Sequence, residues 1–215
     1  MSKTEPAGAL PAKQARSRES ARRIVEAVEA LLKEKPFDQL TMAEIAMRAD
    51  MTPGAIYRRF ESKEALLPAI FDRYRTILTD WSDRVSVKAV TAQTNTLAEA
   101  IELVVCETYK AFKQHAHIFR TVHLYGRLHP EARGSAGDTK SSFAPLGGVI
   151  AHFLGPRRGA DRQEIQMAGH VLISAIAERT LYPNNLPSAA LRMSEAQFIR
   201  SLGEMLSAWI MRPRS

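Results

Sequence analysis

Cysteine, long apolar runs and signal-like segments are scarce in this sequence. Its 215 residues include one cysteine, Cys106. A single cysteine cannot form a disulfide within the chain, so nothing here points to an oxidising compartment. No apolar run reaches the roughly 18 residues that a transmembrane helix needs. Residues 1–14 are broken by charges, glycine and prolines where a secretion signal has its apolar core. We therefore expect a cytoplasmic protein without a membrane partner.

Motifs of enzymes and metal sites are also missing. The six histidines include no His-Glu-x-x-His pair and no cysteine cluster accompanies them, which favours packing or pocket lining over zinc binding. There is no Gly-x-Ser-x-Gly elbow. Residues 134–141 are faintly similar to a phosphate-binding loop, but Thr139 stands where the glycine before the lysine is required. We expect no enzymatic activity, no cofactor and no metal.

Charge is what the sequence has in excess. Lysine and arginine total 30 against 23 acidic residues, a formal net charge of +7. This balance is consistent with a polyanionic partner but does not establish one. The content of 45% hydrophobic and 25% charged residues is ordinary for a globular protein.

Local start and stop signals concentrate in residues 41–60. Thr41 is a candidate N-cap, and Glu44, three residues on, completes the pattern of a capping box. Thr52 followed by Pro53 marks a second helix start. Between them lies Asp50, one of the few residue types besides glycine that tolerates a left-handed turn. These signals predict two short helices joined by a tight turn.

This stretch resembles the helix-turn-helix signature of the TetR family of bacterial transcription regulators. The resemblance rests on Thr41, Ile45, Ala46, Thr52, Gly54, Ile56, Tyr57, Phe60, Lys63, Glu64 and Leu66. Two positions depart from the family pattern. Asp50 replaces the usual turn glycine, and Arg59 replaces the ring that is common before the phenylalanine. The resemblance covers roughly the first third of the chain, and the alternative is a helical hairpin that merely packs.

The resemblance implies a protein that binds double-stranded DNA at a pseudo-palindromic operator. Small residues at the start of the second helix allow a close approach to base edges, while neighbouring basic and hydroxyl groups can hold phosphates. The predicted DNA-binding residues are Thr41, Ala43, Thr52, Pro53, Gly54, Ala55, Tyr57, Arg58, Arg59 and Lys63. Four arginines further upstream either contact DNA as well or form a solvated helix start. They are Arg16, Arg18, Arg22 and Arg23.

Helical periodicity continues to the end of the chain and predicts an all-α fold of about nine helices. We divide it into a disordered tail (1–15), a three-helix helix-turn-helix DNA-binding domain (16–62) and a helical ligand-binding and dimerisation domain (63–215). A long apolar face from 66 to 81 runs out of the DNA-binding domain. Residues 85–95 are interpreted as a polar connector and 182–187 as a turn-rich break.

The resemblance further implies a homodimer formed by the last two long helices, and a small-molecule effector whose identity the sequence does not give. The predicted dimer residues are Ile165, Ala168, Leu172, Ala175, Ile176, Phe198, Leu202, Met205, Leu206 and Trp209. The candidate effector-binding residues are aromatic or amphipathic side chains between 112 and 152, each of which could equally be core. They are Phe112, His115, Phe119, His123, Tyr125, Phe143 and His152.

The function that follows is a ligand-responsive regulator, most simply a repressor released from its operator by a small molecule. The alternatives are an all-α enzyme with a vestigial DNA-binding fold, or a ligand-binding adaptor that has lost DNA binding. The missing catalytic motifs count against the first alternative. The presence of Thr52, Tyr57 and Lys63 argues against the second.

Overall fold

The computed structural model describes residues 9–129, 144–155 and 162–212. Those residues form α-helices and short 3-10 turns without a strand, which confirms the all-α prediction. The helices are α1 (Ala9–Leu32), α2 (Met42–Arg48), α3 (Pro53–Tyr57), α4 (Leu67–Arg84), α5 (Val87–Thr91), α6 (Leu97–Gln114), α7 (Ala116–Leu128), α8 (Ala144–Leu154), α9 (Arg162–Leu181), α10 (Leu186–Ala190) and α11 (Glu195–Met211). None of these helices combines the length and the hydropathy that a membrane span requires.

Two five-residue helices, α5 and α10, raise the helix count of the described residues above the predicted nine. Helix α5 falls in the segment interpreted as a polar connector. Ser86 starts it by accepting a hydrogen bond from the Ala89 N–H, and Val90 anchors it in the core. Helix α10 carries Pro187 in its first turn, where a proline is tolerated. Such short helices escape prediction because five residues are too few to show helical periodicity.

Helix α1 begins at Ala9, inside the segment predicted to be a disordered tail. The prediction is therefore wrong for residues 9–15, and residues 1–8 lie outside the described part of the chain. Pro11 occupies the third position of the helix, where its missing N–H costs nothing because the first turn has no internal acceptors for those groups. Beyond it, alanine, lysine, glutamine and arginine are strong helix formers.

Contacts divide the chain into two units. The first comprises residues 1–72 together with 121–132, and the second comprises residues 73–120 and 133–215. The division falls within α4 and again within α7, so each of these helices contributes residues to both units. Because this grouping reflects contacts alone, the domain boundaries drawn from the sequence stay a prediction.

In the first unit, α1 supplies one wall of the core. Ile24, Val28 and Leu31 are buried there, and Phe37 fills the space after the helix. The edge of the Phe37 ring meets the ring of Tyr125 from α7, with 4.9 Å between centroids. Burying a side chain of this size stabilises the fold by roughly 1.5–3 kcal/mol. The described end of α7 is therefore part of the helix-turn-helix unit.

In the second unit, α6 is the central helix. It buries Ile101, Val104 and Val105, and its Thr108 hydroxyl accepts a hydrogen bond from the Trp81 indole N–H at 3.1 Å. Helix α11 crosses α6 closely at Gly203, where an added Cβ would lie 3.2 Å from the Cα of Glu102. This crossing leaves the opposite side of α11 for other contacts.

Candidate nucleic-acid interface

The capping box at the start of α2 is present as predicted. The Thr41 hydroxyl accepts from the Glu44 N–H at 3.2 Å, and the Glu44 carboxylate accepts from the Thr41 N–H at 3.0 Å. The carboxylate also accepts from the Lys35 ammonium at 2.5 Å. The Thr41 hydroxyl in turn donates to this carboxylate at 2.9 Å. The bond from Lys35, followed by the bonds from the Thr41 hydroxyl and the Thr41 N–H, lowers the pKa of Glu44 to about 2. The start of α2 is thus tied both to its own cap and to Lys35, which follows the end of α1.

The turn after α2 is left-handed at Asp50, whose φ is 51°. Asp50 is the one non-glycine residue with positive φ in the described ranges. The N–H that follows, from Met51, donates back to the Ala46 carbonyl at 2.9 Å, as in a helix C-terminal motif. This conformation confirms the left-handed turn that the sequence predicts at Asp50. The chain then reverses direction sharply enough for α3 to start two residues later.

Helix α3 has five residues and a single buried side chain, Ile56. The Thr52 hydroxyl accepts from the Ala55 N–H at 3.3 Å, and Pro53 occupies the first helical position. Gly54 is exposed, and a Cβ built on it would meet no atom within 4 Å. The fold therefore does not need a glycine at this position, although the sequence has one.

Most of the ten predicted DNA-binding residues are exposed together around α2 and α3, and none is buried. The exposed ones are Thr41, Ala43, Thr52, Pro53, Gly54, Tyr57, Arg58 and Arg59, while Ala55 and Lys63 are half-buried. The Lys63 ammonium donates to the Asp38 carbonyl at 2.7 Å and lies 5.3 Å from the centroid of the Phe37 ring. An ammonium has three donors, so this bond leaves others for a phosphate.

The upstream arginines are not equivalent. Arg22 lies between Glu19 and Glu26 on the surface of α1, with both pairs at 2.5 Å. Its neighbour Arg23 donates to the Ala49 carbonyl at 2.6 Å and to Asp50 in the turn. Sequence reasoning treated both as potential phosphate contacts. The contact of Arg23 joins residues 26 and 27 positions apart, which local patterns do not reveal.

The effector candidates occupy different surroundings. Phe112 and Phe119 are buried with ring centroids 4.2 Å apart, and Phe119 also meets the edge of Tyr74 at 5.1 Å. His115 is half-buried and its ring centroid lies 6.4 Å from that of His117.

The remaining candidates lie elsewhere in the chain. His123 and Tyr125 belong to the first unit, where Tyr125 packs on Phe37. His152 is exposed, and Phe143 lies outside the described residues. Phe112 and Phe119 are therefore core residues of the second unit, and the effector site stays a prediction.

The predicted dimer residues divide into an inner and an outer face of α9 and α11. The inner face is buried within the chain and consists of Ala168, Leu172, Ile176, Phe198, Leu202 and Leu206. Ile165, Ala175 and Trp209 are half-buried, and Met205 is 51% exposed. Met167 and Val171, which the sequence analysis missed, join Met205 and Trp209 in an apolar groove of about 290 Å³ that also touches the edges of Ala168 and Leu206.

Metal-binding groups are absent from the described ranges, where no three His, Cys, Asp or Glu side chains cluster as ligands. Cys106 is a half-buried free thiol. The surface that remains as a candidate site is therefore the exposed side of the helix-turn-helix.

Residues 24–70 match the model of the family described as bacterial regulatory proteins, tetR family. The A-factor receptor protein of Streptomyces griseus is 41% identical over 61 residues, which are 28% of this chain. That alignment spans 22% of the relative's length.

Solved structures share the fold over nearly the whole chain. A TetR-family transcriptional regulator from Mesorhizobium loti MAFF303099 has a TM-score of 0.62 at 16% identity, covering 91% of this chain and 96% of that one. AibR in complex with isovaleryl coenzyme A and operator DNA has a TM-score of 0.59 at 16% identity, covering 86% and 97%. FadR from Bacillus subtilis in complex with stearoyl-CoA has a TM-score of 0.58 at 15% identity, covering 88% and 97%. At these identities the likeness concerns the fold.

The fold and the site define an all-helical protein with an N-terminal helix-turn-helix. The family match adds that residues 24–70, which contain this helix-turn-helix, are similar to the N-terminal region of the tetR family of bacterial regulatory proteins.

Replacing Glu44 with Gln should reduce thermal stability at neutral pH but not in strong acid. The pKa of Glu44 is lowered from 4.5 to about 2 in the folded chain, so its carboxylate stabilises the fold above pH 4.5. This contribution is lost as the pH falls toward 2, because the carboxylate is then protonated in both states.

Melting followed by circular dichroism between about pH 7 and pH 2 measures this difference. Replacing the exposed Glu61 with Gln is the matched control. A melting-temperature gap for Glu44→Gln that stays constant across the whole range would contradict the assignment.

Proposed function

We propose that this protein is a DNA-binding transcriptional regulator, a homodimeric repressor released from a palindromic operator by a small-molecule effector. The observation that carries the proposal is the exposed face of α3. That helix is fixed by a cap, a turn and one buried residue, and it presents Pro53, Gly54 and Tyr57 to the outside. A helix presented in this way fits the major groove of DNA.

The chemistry around α3 suits a phosphate backbone on either side of the groove. Arg58 and Arg59 are exposed at the end of α3, and Lys63 follows four residues after Arg59. Such groups fix the register of a protein on DNA, while small residues at the start of the helix leave space for base edges. Operator DNA in the complex of the structural neighbour AibR agrees with this proposal.

A second copy of the chain is the expected occupant of the groove on α9 and α11. Met167 and Met205 are 53% and 51% exposed there. Trp209, four residues after Met205 on α11, also lines the groove. Two-fold pairing through this face would present two α3 helices to the half-sites of a palindrome. The buried inner face then serves the fold of each chain, and the outer face serves the dimer.

The effector is proposed to bind in the second unit, near the buried pair Phe112 and Phe119. Helices α4 and α7 contribute residues to both units and so provide a continuous route from this region to the helix-turn-helix. An effector shifts the equilibrium only if it binds the DNA-competent and released states with different affinity. Acyl-CoA thioesters are the first class to screen, because FadR and AibR were crystallised with stearoyl-CoA and isovaleryl coenzyme A.

The proposed location is the cytoplasm, because a regulator must reach the DNA that it binds. Against the enzyme alternative, the sequence offers no catalytic motif, and within the described residues no three His, Cys, Asp or Glu side chains cluster as metal ligands. The adaptor alternative does not account for an exposed glycine on α3 that the fold does not require.

Gly54→Ala should weaken operator binding without destabilising the protein. Open space around Gly54 accommodates a methyl group, and alanine is favoured over glycine in a helix by up to about 1 kcal/mol. At a close approach to DNA, the same methyl group would block contact. We expect an operator affinity lower by roughly tenfold or more, which corresponds to about 1.4 kcal/mol.

Anisotropy titrations on operator and scrambled duplexes measure the affinity, and thermal melting measures the stability. Equal operator affinity of the variant and the wild type would exclude a close approach at Gly54. A lower melting temperature would instead mean that the glycine serves the fold.

Met205→Asp should convert the dimer to a monomer. The charge would be desolvated in an apolar groove, and a buried unpaired carboxylate is strongly unfavourable. Analytical ultracentrifugation measures the change. Met211→Asp is the matched control, because Met211 is equally exposed on α11 at 51% but does not line the groove. A wild-type monomer, or equal effects of the two substitutions, would refute this interface.

A further inference from the structure

We propose that Arg23 is a positioning residue for DNA recognition, which holds the turn before α3 and thereby sets the orientation of that helix. The inference rests on the proposed DNA-binding function, but its structural part can be tested without DNA. Arg23 itself need not touch DNA for this role.

The contact is made by one guanidinium nitrogen at the C-terminal end of α2. Nη2 of Arg23 donates to the Ala49 carbonyl at 2.6 Å, to the Asp50 carbonyl at 3.0 Å and to the Asp50 carboxylate at 3.1 Å. The carbonyls at a helix C-terminus carry partial negative charge, which a cation compensates. Hydrogen bonds from a charged donor are also stronger than neutral ones.

The turn needs such support because its central residue is strained. Asp50 has a φ of 51°, a conformation that costs a residue with a Cβ more than it costs glycine. Its carboxylate is fully exposed and adds a negative charge beside the carbonyls. Arg23 stabilises the strained turn by binding its backbone carbonyls, and it also neutralises the charge of the Asp50 carboxylate.

Helix α1 gives Arg23 a rigid base. Ile24, Ala27 and Val28 on the same helix are buried in the core of the first unit. The adjacent Arg22 instead forms ion pairs with Glu19 and Glu26 of α1 itself. The two neighbouring arginines thus have the same charge but different contacts. Arg22 is therefore a matched control for the loss of one positive charge from α1.

Two other ion pairs hold α2 itself, whereas the Arg23 side chain binds the turn that follows it. Arg48 pairs with Glu34 at 2.9 Å, and Lys35 pairs with Glu44 at 2.5 Å. Helix α3 follows the turn and has one buried anchor, Ile56. Releasing the turn should therefore let α3 vary in orientation while α1 and α2 stay in place.

Loss of Arg23 should affect specific DNA binding more than non-specific binding. Reading base edges depends on a fixed helix orientation, whereas attraction to phosphates depends mainly on charge. Arg23→Ala and Arg22→Ala remove the same charge and should weaken binding to a scrambled duplex alike. Arg23→Ala should in addition lower operator affinity by roughly tenfold relative to Arg22→Ala.

The experiment compares the wild type, Arg23→Ala, Arg22→Ala, Asp50→Gly and the double variant Arg23→Ala/Asp50→Gly. Hydrogen exchange without DNA follows the amides of residues 49–57, and anisotropy follows binding to operator and scrambled duplexes. Arg23→Ala should speed exchange in that segment and lose operator preference. Asp50→Gly should restore much of both in the double variant, because glycine adopts the left-handed turn without strain.

The outcomes separate this inference from the proposed function. Unchanged exchange in residues 49–57 of Arg23→Ala overturns the inference, whatever the DNA results. Faster exchange with full operator preference overturns the positioning role. A loss of operator preference that Asp50→Gly does not rescue also overturns the positioning role, because it would point to a direct DNA contact by Arg23. A wild-type protein without operator preference refutes the proposed function, and the positioning role for recognition falls with it.

Discussion

Helix α3 is too short to be stable by itself, and everything proposed for this protein depends on how the rest of the first unit holds it. An isolated helix of five residues cannot offset the cost of nucleation. Burial of Ile56, the Thr52 cap and the left-handed turn at Asp50 supply what its length does not. Because so few side chains of α3 are used in this way, the others are free to face a partner.

Helices α9 and α11 likewise bury one face within the chain and leave another face at the surface. Leu172 and Leu206 are buried against the chain's own core, whereas Met167, Met205 and Trp209 form an apolar surface around the groove. Apolar side chains that one chain leaves at its surface are consistent with burial by a second copy. In the function that we propose, recognition and dimerisation therefore use residues that the fold of a single chain does not need.

Sequence reasoning succeeded where the signal was local. The caps at Thr41 and Thr52 are present, because a hydroxyl and an N–H three residues apart determine this contact. The left-handed Asp50 was predicted because aspartate is one of the few residue types besides glycine that tolerates this conformation. Exposure of the predicted DNA-binding residues also agrees with the helix periodicity around Ile45 and Ile56.

Sequence reasoning failed where contacts connect distant residues. The bonds from Arg23 to the turn and from Lys63 to the Asp38 carbonyl span more than twenty positions. Periodicity identified the apolar stripes of α9 and α11 but could not show which part of each stripe faces the chain's own core. That distinction depends on where α6 lies, which no local pattern encodes.

The central claim is that this chain recognises a DNA sequence. Its most direct test is fluorescence anisotropy of the full chain on the duplex upstream of its own coding region and on a scrambled duplex, at about 50 and 200 mM salt. We expect preference for the upstream duplex at both salt concentrations, because base contacts persist when phosphate attraction is screened. Equal binding to both duplexes that disappears at the higher salt would contradict the claim, since it would reflect a basic surface alone.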